Sequence, residues 1–318
     1  MTAPTSPAPP LGPEERALVL KIVRSRRKAR SAAVAEVVAV LEDLGGRPLP
    51  GGPRSEVAGV AWAAVDKEAP LVELSHRLDR LGYCEAVDLA VPRAELDEPD
   101  ERWPMARWRG ADVVLVPVQS HGTDELRAEA PDQRSFLLEC DDGVVRRIQG
   151  YRGGRGPLEH RALPTSDARL LVNLVHQSDG GTLLDPFAGA GSVILQARSR
   201  GWRTLSSDVD RRLRFGLAEL ADYHVVADAA SLPVQPGRVD AVATEPPYDN
   251  RALDCVQSSV GQAAAVLRPG GRIAMLIAST QVEQVRRSAL ETGLLVDLEL
   301  PIDRRGLAVT CLRMRRPK

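Results

Sequence analysis

Two short segments combine residue types that suit a cofactor turn and a clamp for a planar amine. Residues 184–191 read Leu-Asp-Pro-Phe-Ala-Gly-Ala-Gly, and residues 244–248 read Thr-Glu-Pro-Pro-Tyr at the end of an apolar run. In the second segment, Glu245 can hold the edge of a nucleobase while the ring of Tyr248 stacks on its face. The two prolines between them fix the backbone and remove competing amide donors. These segments predict methyl transfer to a base.

Acidic residues follow four consecutive predicted strands in the carboxyl-terminal half. They are Asp185, Asp208, Asp228 and Glu245. In an open parallel sheet the ligand lies at the carboxyl ends of the strands. A single acid at such a place is more often a helix cap or a solvated residue. Four acids in register favour a binding site.

A glycine turn follows the first of these strands. Gly189 and Gly191 let the backbone approach a ligand closely. A nicotinamide dinucleotide fold has a similar turn, but its third glycine is absent here and Asp185 would repel a pyrophosphate. An acid at that position suits the α-ammonium of S-adenosylmethionine, while Asp208 can accept from ribose hydroxyls and Asp228 from the adenine amine. The pattern favours S-adenosyl-L-methionine over a dinucleotide.

Hydrophobic periodicity predicts the elements that carry these residues. From residue 164 onward, helices alternate with short apolar strands, as in a parallel sheet with helices on both faces. The predicted strands are residues 182–184, 203–206, 223–226, 239–244 and 272–278, and the helices are residues 166–175, 193–200, 211–220, 256–267 and 282–292. Strands at residues 294–300 and 307–314, joined by a turn at residues 303–306, complete the prediction of five parallel strands and a closing antiparallel hairpin.

The order of strand-like and helix-like runs in the amino-terminal half predicts a smaller α/β domain of βαββαβ-like order. Its predicted strands are residues 17–23, 57–65 and 86–91, and its predicted helices are residues 31–44 and 70–81. Residues 92–104 are acidic and contain proline, which indicates a linker. Further strands are predicted at residues 113–118, 135–140 and 144–148, the last two joined by an Asp-Asp-Gly turn.

Several segments resemble motifs of the THUMP-associated tRNA guanine-N2 methyltransferases. Residues 184–192, 207–210 (Ser-Asp-Val-Asp) and 244–248 look like the Asp-Pro-Phe-x-Gly-x-Gly, Ser-Asp-Ile-Asp and Thr-Asp-Pro-Pro-Tyr elements of that family. Residues 164–175 look like the helix that precedes the family's cofactor strand. The resemblance covers residues 161–315 well, whereas the amino-terminal half is similar only in outline to the family's ferredoxin-like part.

The resemblance implies a Rossmann-like class I methyltransferase preceded by a smaller ferredoxin-like α/β domain. The expected organisation is a disordered tail at residues 1–14, the small domain at 15–120, a β-hairpin and linker at 121–160, and the methyltransferase domain at 161–318. The implied activity is S-adenosylmethionine-dependent methylation of an exocyclic base amine of RNA, namely guanine N2 in tRNA.

The same resemblance implies a set of site residues. The catalytic residues are Glu245, Pro246, Pro247 and Tyr248. The cofactor-binding residues are Asp185, Pro186, Phe187, Gly189, Gly191, Asp208 and Asp228. In this arrangement Glu245 and a carbonyl of the proline pair accept hydrogen bonds from the base amine, so that catalysis depends on positioning and electrostatics.

Glu245 departs from the family motif, which has Asp at this position, or Asn in many adenine amine methyltransferases. Its extra methylene extends the carboxylate by about 1.5 Å, which a displaced base could accommodate or which could weaken catalysis. Two alternatives therefore stay open. One is a DNA amine methyltransferase acting on adenine or cytosine, and the other is a non-catalytic nucleic-acid-binding protein that keeps the cofactor fold.

Composition sets broader limits. The 318 residues carry 42 basic and 43 acidic side chains, so that any basic surface for RNA has to be local. The four cysteines have no metal-ligand spacing, and no apolar stretch reaches the roughly 18 residues of a membrane span. We expect a cytoplasmic protein without a metal or a membrane segment.

Two basic segments are candidate RNA contacts. The first comprises Arg24, Arg26, Arg27, Lys28 and Arg30, and the second is the glycine-rich segment of residues 151–156, with Arg152 and Arg155. A solvated helix face or a solvated linker would have the same composition. If the first segment contacts RNA, charge reversal at Arg26 and Arg27 should weaken RNA binding without changing cofactor affinity.

Overall fold

A computed structural model describes residues 10–23, 29–53, 57–120, 135–149, 158–177, 180–304 and 306–318. The chain forms two compact units, Met1–Arg127 and Ala128–Lys318. Each unit has its own main β-sheet.

Within its described residues, the first unit contains a six-stranded antiparallel sheet and two α-helices. Its elements are β1 (Glu15–Ile22), α1 (Arg30–Val40), β2 (Arg47–Pro48), β3 (Val60–Asp66), α2 (Leu71–Leu78), β4 (Cys84–Pro92), β5 (Met105–Trp108) and β6 (Ala111–Ser120). The strand order is β2-β3-β1-β4-β6-β5. β1 has β3 and β4 on its two sides, and its consecutive residues Ala17, Leu18, Val19 and Leu20 are all buried. A strand that is apolar on both faces is stable only when both faces are covered.

Two strands of this unit were missed by the sequence prediction. β2 is two residues long and contains Pro48, and β5 follows the acidic, proline-containing stretch that was predicted as a linker. The helix predicted for residues 31–44 ends at Val40 and continues as a 3-10 turn, Glu42–Leu44. Gly45, with φ of 73°, ends that turn in the left-handed region that favours glycine.

The second unit is a seven-stranded α/β sheet with an additional hairpin. Its elements are β7 (Ser135–Glu139), β8 (Val145–Gln149), α3 (Thr165–Leu174), β9 (Thr182–Asp185), α4 (Ser192–Ser199), β10 (Arg203–Asp208), α5 (Arg214–Leu220), β11 (Tyr223–Val226), β12 (Val239–Thr244), α6 (Leu253–Val266), β13 (Leu267–Ala278), α7 (Val282–Glu291), β14 (Leu295–Arg304) and β15 (Leu307–Arg315). The strand order is β11-β10-β9-β12-β13-β15-β14. As predicted, the first five are parallel, and β14 and β15 form an antiparallel hairpin.

The order of this sheet places a topological switch point at its centre. β10 and β11 lie on one side of β9, whereas β12 and β13 lie on the other. The chain therefore adds strands first on one side of β9 and then on the other, so that the strand order reverses between β9 and β12. In such sheets, ligands bind at the switch point, beyond the carboxyl ends of the strands.

The hairpin of β7 and β8 packs on α5 within the second unit. Phe136 is 1% exposed, and a Cβ at Gly216 would lie 2.4 Å from its ring, so that the helix can come this close only with glycine. Arg147 Nη2 lies 3.0 Å from Glu219 Oε1, and Arg214 pairs with Glu139. The hairpin, which was predicted together with a linker, is thus tied to the sheet unit by an apolar anchor and two ion pairs.

Candidate functional site

The predicted acids lie at the ends of four neighbouring strands. Asp185 is the last residue of β9 and Asp208 is the last residue of β10. Glu245 directly follows β12, and Asp228 comes two residues after β11. Because β11, β10, β9 and β12 are adjacent and parallel, the four acids share one edge of the sheet.

The turn after β9 has the backbone that the sequence predicts. Gly189 and Gly191 have φ of +51° and +77°, which L side chains rarely adopt. A Cβ at Gly189 would lie 2.4 Å from the carbonyl oxygen of Arg161, and a Cβ at Gly191 would lie 2.7 Å from Leu220 Cδ1. Both positions therefore require glycine for conformation and for space.

Pro186 and Phe187 complete this turn. The carbonyl of buried Pro186 accepts a hydrogen bond from Ser207 Oγ at 3.4 Å, which joins the turn to β10. The amide of Phe187 donates to Asp185 Oδ1 at 3.2 Å. These contacts hold the backbone of the turn against the ends of β9 and β10.

Asp185 connects the turn to the clamp segment. Its side chain is 1% exposed, and its Oδ1 also accepts a hydrogen bond from Thr244 Oγ1 at 2.6 Å. Burial raises the pKa of Asp185 to about 7, against the opposing effect of the Thr244 and Phe187 hydrogen bonds. The nearby charges of Asp208 and Glu245 add to the increase. A cationic group would stabilise the charged form of this carboxyl.

Asp208 and Asp228 both engage backbone amides. Oδ2 of Asp208 accepts from the Gly189 amide at 2.8 Å, and Oδ1 accepts from the Asp210 amide at 2.9 Å. Oδ1 of Asp228 accepts from the Ala230 amide at 2.9 Å, and Cys255 Sγ lies 3.6 Å away. A carboxylate oxygen can accept more than one hydrogen bond, so that both groups keep acceptor capacity for a ligand.

Ser192 adds a polar group that the sequence prediction did not include. It is the first residue of α4, directly after Gly191, and is 5% exposed. Its Oγ has no hydrogen-bond partner among the described residues. Since buried hydroxyls are normally paired, an orphaned hydroxyl beside the bare glycine backbone fits a ligand with polar groups. The residues of this turn are thus compatible with S-adenosylmethionine.

The clamp segment is held in a network of four side chains. Tyr248 donates its hydroxyl hydrogen to Glu245 Oε1. Arg304 Nη1 donates to the same oxygen at 2.5 Å and to the Tyr248 hydroxyl at 2.9 Å. Arg304 Nε lies 3.2 Å from Oδ2 of Asp167, whose side chain is 1% exposed. The acid that departs from the motif is therefore fixed by an arginine.

Arg304 and Asp167 were not predicted as site residues. Arg304 lay in the predicted hairpin turn, and Asp167 lay in the helix that resembles the family's segment before the cofactor strand. Burial raises the pKa of Glu245, while the charge of Arg304 and the hydrogen bond from Tyr248 oppose the increase and Asp167 adds to it. Burial and the charge of Glu245 also raise the pKa of Tyr248, which keeps its hydroxyl protonated.

The two prolines differ in exposure and in the use of their carbonyls. Pro246 is buried and Pro247 is exposed. The carbonyl of Pro247 accepts from Gln281 Nε2 at 3.1 Å, and Gln281 is itself fully buried and accepts from the Ala278 amide. Gln281, the last residue of the 3-10 turn Ser279–Gln281 that follows β13, therefore fixes the segment at Pro247.

Among residues 10–23, 29–53, 57–120, 135–149, 158–177, 180–304 and 306–318, no three His, Cys, Asp or Glu side chains are grouped as metal ligands. In the same ranges no helix is long and apolar enough to cross a membrane. Residues 151–156 and four of the five basic residues near the first helix lie outside the described residues. Arg30, the fifth, is the first residue of α1.

Comparison with known proteins gives a sequence relative that covers most of the chain. The tRNA (guanine(6)-N2)-methyltransferase of Thermus thermophilus is 32% identical in an alignment 259 residues long, and the match covers 68% of this chain and 76% of the relative. The chain belongs to the tRNA guanine-N2 methyltransferase family. The family resemblance predicted from the motifs is thus confirmed, and the second unit is a methyltransferase-like α/β domain.

A second relative matches over a shorter stretch, and a solved structure matches over most of the chain at low identity. The tRNA (guanine(10)-N2)-dimethyltransferase of Methanothermobacter thermautotrophicus is 33% identical over 122 residues, and the match covers 34% of this chain but only 36% of that relative. The crystal structure of TrmN from Thermus thermophilus covers 95% of this chain and 99% of its own, with 16% identity and a TM-score of 0.49. No protein-family profile matches the chain. The family assignment therefore rests on the relative with 32% identity.

Proposed function

We propose that this protein is an S-adenosylmethionine-dependent methyltransferase that acts in the cytoplasm on guanine N2 in tRNA. The observation that carries the proposal is the hydrogen bond between Thr244 Oγ1 and Asp185 Oδ1. This bond joins the glycine turn, where the cofactor would bind, directly to the clamp segment of residues 244–248, which contains Glu245 and Tyr248. A methyl donor and an amine acceptor would thus meet at adjacent strand ends.

Three carboxylates and the glycine turn would hold the cofactor. Asp185 would pair with the α-ammonium, Asp208 would accept from ribose hydroxyls and Asp228 from the adenine amine. Gly189 and Gly191 have no side chain that would keep the ligand away from the backbone. In the sequence, Pro186 and Phe187 precede these glycines and Ser192 follows them. When bound, S-adenosylmethionine supplies an electrophilic methyl group.

The clamp residues would bind and orient the base amine. An exocyclic amine is a poor nucleophile because its lone pair is delocalised into the ring, and hydrogen bonds to two acceptors favour a pyramidal nitrogen. Glu245 is one acceptor, and the carbonyl of Pro246 is the other candidate because Gln281 already donates to that of Pro247. Tyr248 would stack on the base, with its ring held by the hydroxyl contacts to Glu245 and Arg304. These groups act by positioning and electrostatics.

The first unit would serve as the RNA platform. Residues 15–120 form the proposed small domain, residues 161–318 the methyltransferase domain, and residues 121–160 the segment between them, preceded by a tail at 1–14. The antiparallel order β2-β3-β1-β4, with α1 and α2 in the two crossovers, supports a ferredoxin-like fold that β5 and β6 extend. The basic segment at residues 24–30 would contribute to its RNA surface.

Mass spectrometry of nucleosides tests this function. Total tRNA and rRNA from cells lacking the protein should lose one N2-methylguanosine species, and the purified protein with labelled cofactor should restore it. Glu245→Gln should abolish transfer and leave cofactor affinity unchanged, whereas Glu299→Gln, on the exposed face of β14, should leave both unchanged. Loss only of a methylated base from DNA would refute the RNA substrate. Cofactor binding without transfer to any nucleic acid would favour the non-catalytic alternative.

A further inference from the structure

Arg304 is the last residue of β14, and it links three elements of the second unit. Its guanidinium contacts Glu245 and Tyr248 after β12, and Asp167 in α3. Its side chain is 18% exposed, so that its position is set largely by these contacts. An arginine fixed in this way is a rigid part of the site.

The charges around Glu245 show why a fixed cation is needed there. Asp167 on α3 and Asp185 on β9 are both acidic and almost completely buried, and Tyr248 contributes a neutral hydroxyl. Among the residues that the structure describes, Arg304 is the cation that pairs with Glu245. A buried carboxylate without a counter-ion becomes protonated. A protonated Glu245 would have one acceptor oxygen fewer for the base amine.

The two oxygens of Glu245 have different environments. Oε1 accepts from Arg304 and from Tyr248, whereas Oε2 has no hydrogen-bond partner among the described residues. With Oε1 held, rotation of the carboxylate is restricted and Oε2 is left to accept from a ligand. The network therefore does two things at once: it supplies the counter-charge and it orients the free oxygen.

We propose that Arg304, anchored by Asp167, is a positioning residue that keeps the Glu245 carboxylate charged and aims its Oε2 at the base amine. The inference rests on the proposed function, because it assigns a role in binding the acceptor base. It also gives a physical reason for glutamate in place of the family's aspartate. A side chain about 1.5 Å shorter would not reach the Arg304 and Tyr248 contacts that hold Oε1.

The pH profile of the Arg304→Gln variant tests this proposal. Glutamine removes the charge but keeps much of the side-chain volume. Removing an opposite charge at this distance raises the pKa of a carboxyl by about 1–3. The acidic limb of kcat/KM should therefore move to higher pH by about 1–3 pH units, while cofactor affinity stays the same. Arg304→Lys keeps the positive charge but has only one side-chain nitrogen. It should return the acidic limb of kcat/KM towards its wild-type pH, whereas the maximal value of kcat/KM should recover less.

Arg313→Gln is the matched control. Arg313 lies on β15 of the same hairpin, is 20% exposed and pairs with Asp297 at 2.9 Å, away from the clamp. It should lower thermal stability to a similar degree without moving the acidic limb. If Arg304→Gln lowered kcat/KM by the same factor at every pH, the proposed role would be refuted.

A second measurement does not depend on methyl transfer. In protein labelled with ¹³C at glutamate carboxyls, the Glu245 signal is assigned by its loss in Glu245→Gln and is then followed against pH. Arg304→Gln should raise the titration midpoint of that signal by about 1–3 pH units. An unchanged midpoint would overturn the inference. If the wild-type protein failed to methylate tRNA, the proposed function would fall, and this titration would still decide whether Arg304 keeps Glu245 charged.

Discussion

Replacing Asp185 by asparagine should stabilise the free protein above neutral pH and weaken cofactor binding. The carboxyl is 1% exposed, and burial raises its pKa from 3.8 to about 7. Folding therefore favours the protonated form. The contribution of this group to stability is fully present below about pH 4 and is lost as the pH rises to about 7.

The size of the effect follows from the two pKa values. The difference between 3.8 and about 7 corresponds to about 4 kcal/mol at pH 8. Asparagine has nearly the same shape, and its Oδ1 can still accept from Thr244 and Phe187, but it carries no charge. The variant should therefore unfold about 10 °C higher than the wild type at pH 8, at about 2–4 °C for each kcal/mol. Near pH 4 the two proteins should unfold at similar temperatures.

Calorimetric scans between pH 4 and pH 8.5 measure this difference. Asp222→Asn is the matched control, because hydrogen bonds from the Thr204 amide and hydroxyl lower the pKa of Asp222. Its replacement should have the opposite sign, and should destabilise the protein above about pH 4. A gain from Asp185→Asn that is the same at pH 4 and pH 8 would refute the assignment of a buried, weakly acidic carboxyl.

The same carboxyl links cofactor binding to proton release. If the α-ammonium of S-adenosylmethionine pairs with Asp185, binding favours the charged form and lowers its pKa. Titration calorimetry in two buffers of different ionisation enthalpy should then show release of nearly one proton at pH 6, and this release should disappear above pH 8. Asp185→Asn should bind the cofactor much more weakly and release no proton. Absence of proton release by the wild type at pH 6 would exclude this pairing.

Three further changes test the turn, the hairpin and the clamp. In urea denaturation, Gly189→Ala should destabilise the protein by more than the roughly 1–2 kcal/mol that an alanine in the left-handed region costs, because its Cβ also meets the Arg161 carbonyl. Gly201→Ala is the control. Gly201 has φ of +80° and open space around its Cβ position, so this variant should show only the conformational cost. Phe136→Ala should cost about 3–5 kcal/mol in urea denaturation. Glu245→Asp should lower kcat about 100-fold in methyl-transfer assays, with the cofactor Kd unchanged.

The strand ends of the second unit could be predicted because the residues involved are close in sequence. In four of the parallel strands, the acid is either the last residue of the strand or follows it within two residues. Asp185 and Asp208 could therefore be placed from the pattern alone, once the sheet was recognised as parallel. Their hydrogen bonds to Phe187, Gly189 and Asp210 could not be predicted, because they depend on backbone angles in the turns.

Elements with weak local signals were missed. β2 and β5 are two and four residues long, and their sequences contain proline or follow it. Such short strands are stabilised mainly by pairing with a neighbouring strand. β2 pairs with β3, which lies farther along the chain, and β5 pairs with β6, which it reaches through a tight turn. In the turn before β6, Arg109 has φ of 52°, which no residue pattern marks in advance.

The clamp shows most clearly what a motif leaves out. Within residues 244–248, glutamate is a departure that weakens the prediction of catalysis. In the fold, the pairing of β14 with β15 brings Arg304 to Oε1 of Glu245, although 59 residues separate the two in sequence. The family's aspartate would be too short for this contact, so that Glu245 and Arg304 are better regarded as one unit than as a substitution and its neighbour. A motif residue should therefore be judged with the charge that faces it, and on that basis Glu245 is compatible with an active clamp.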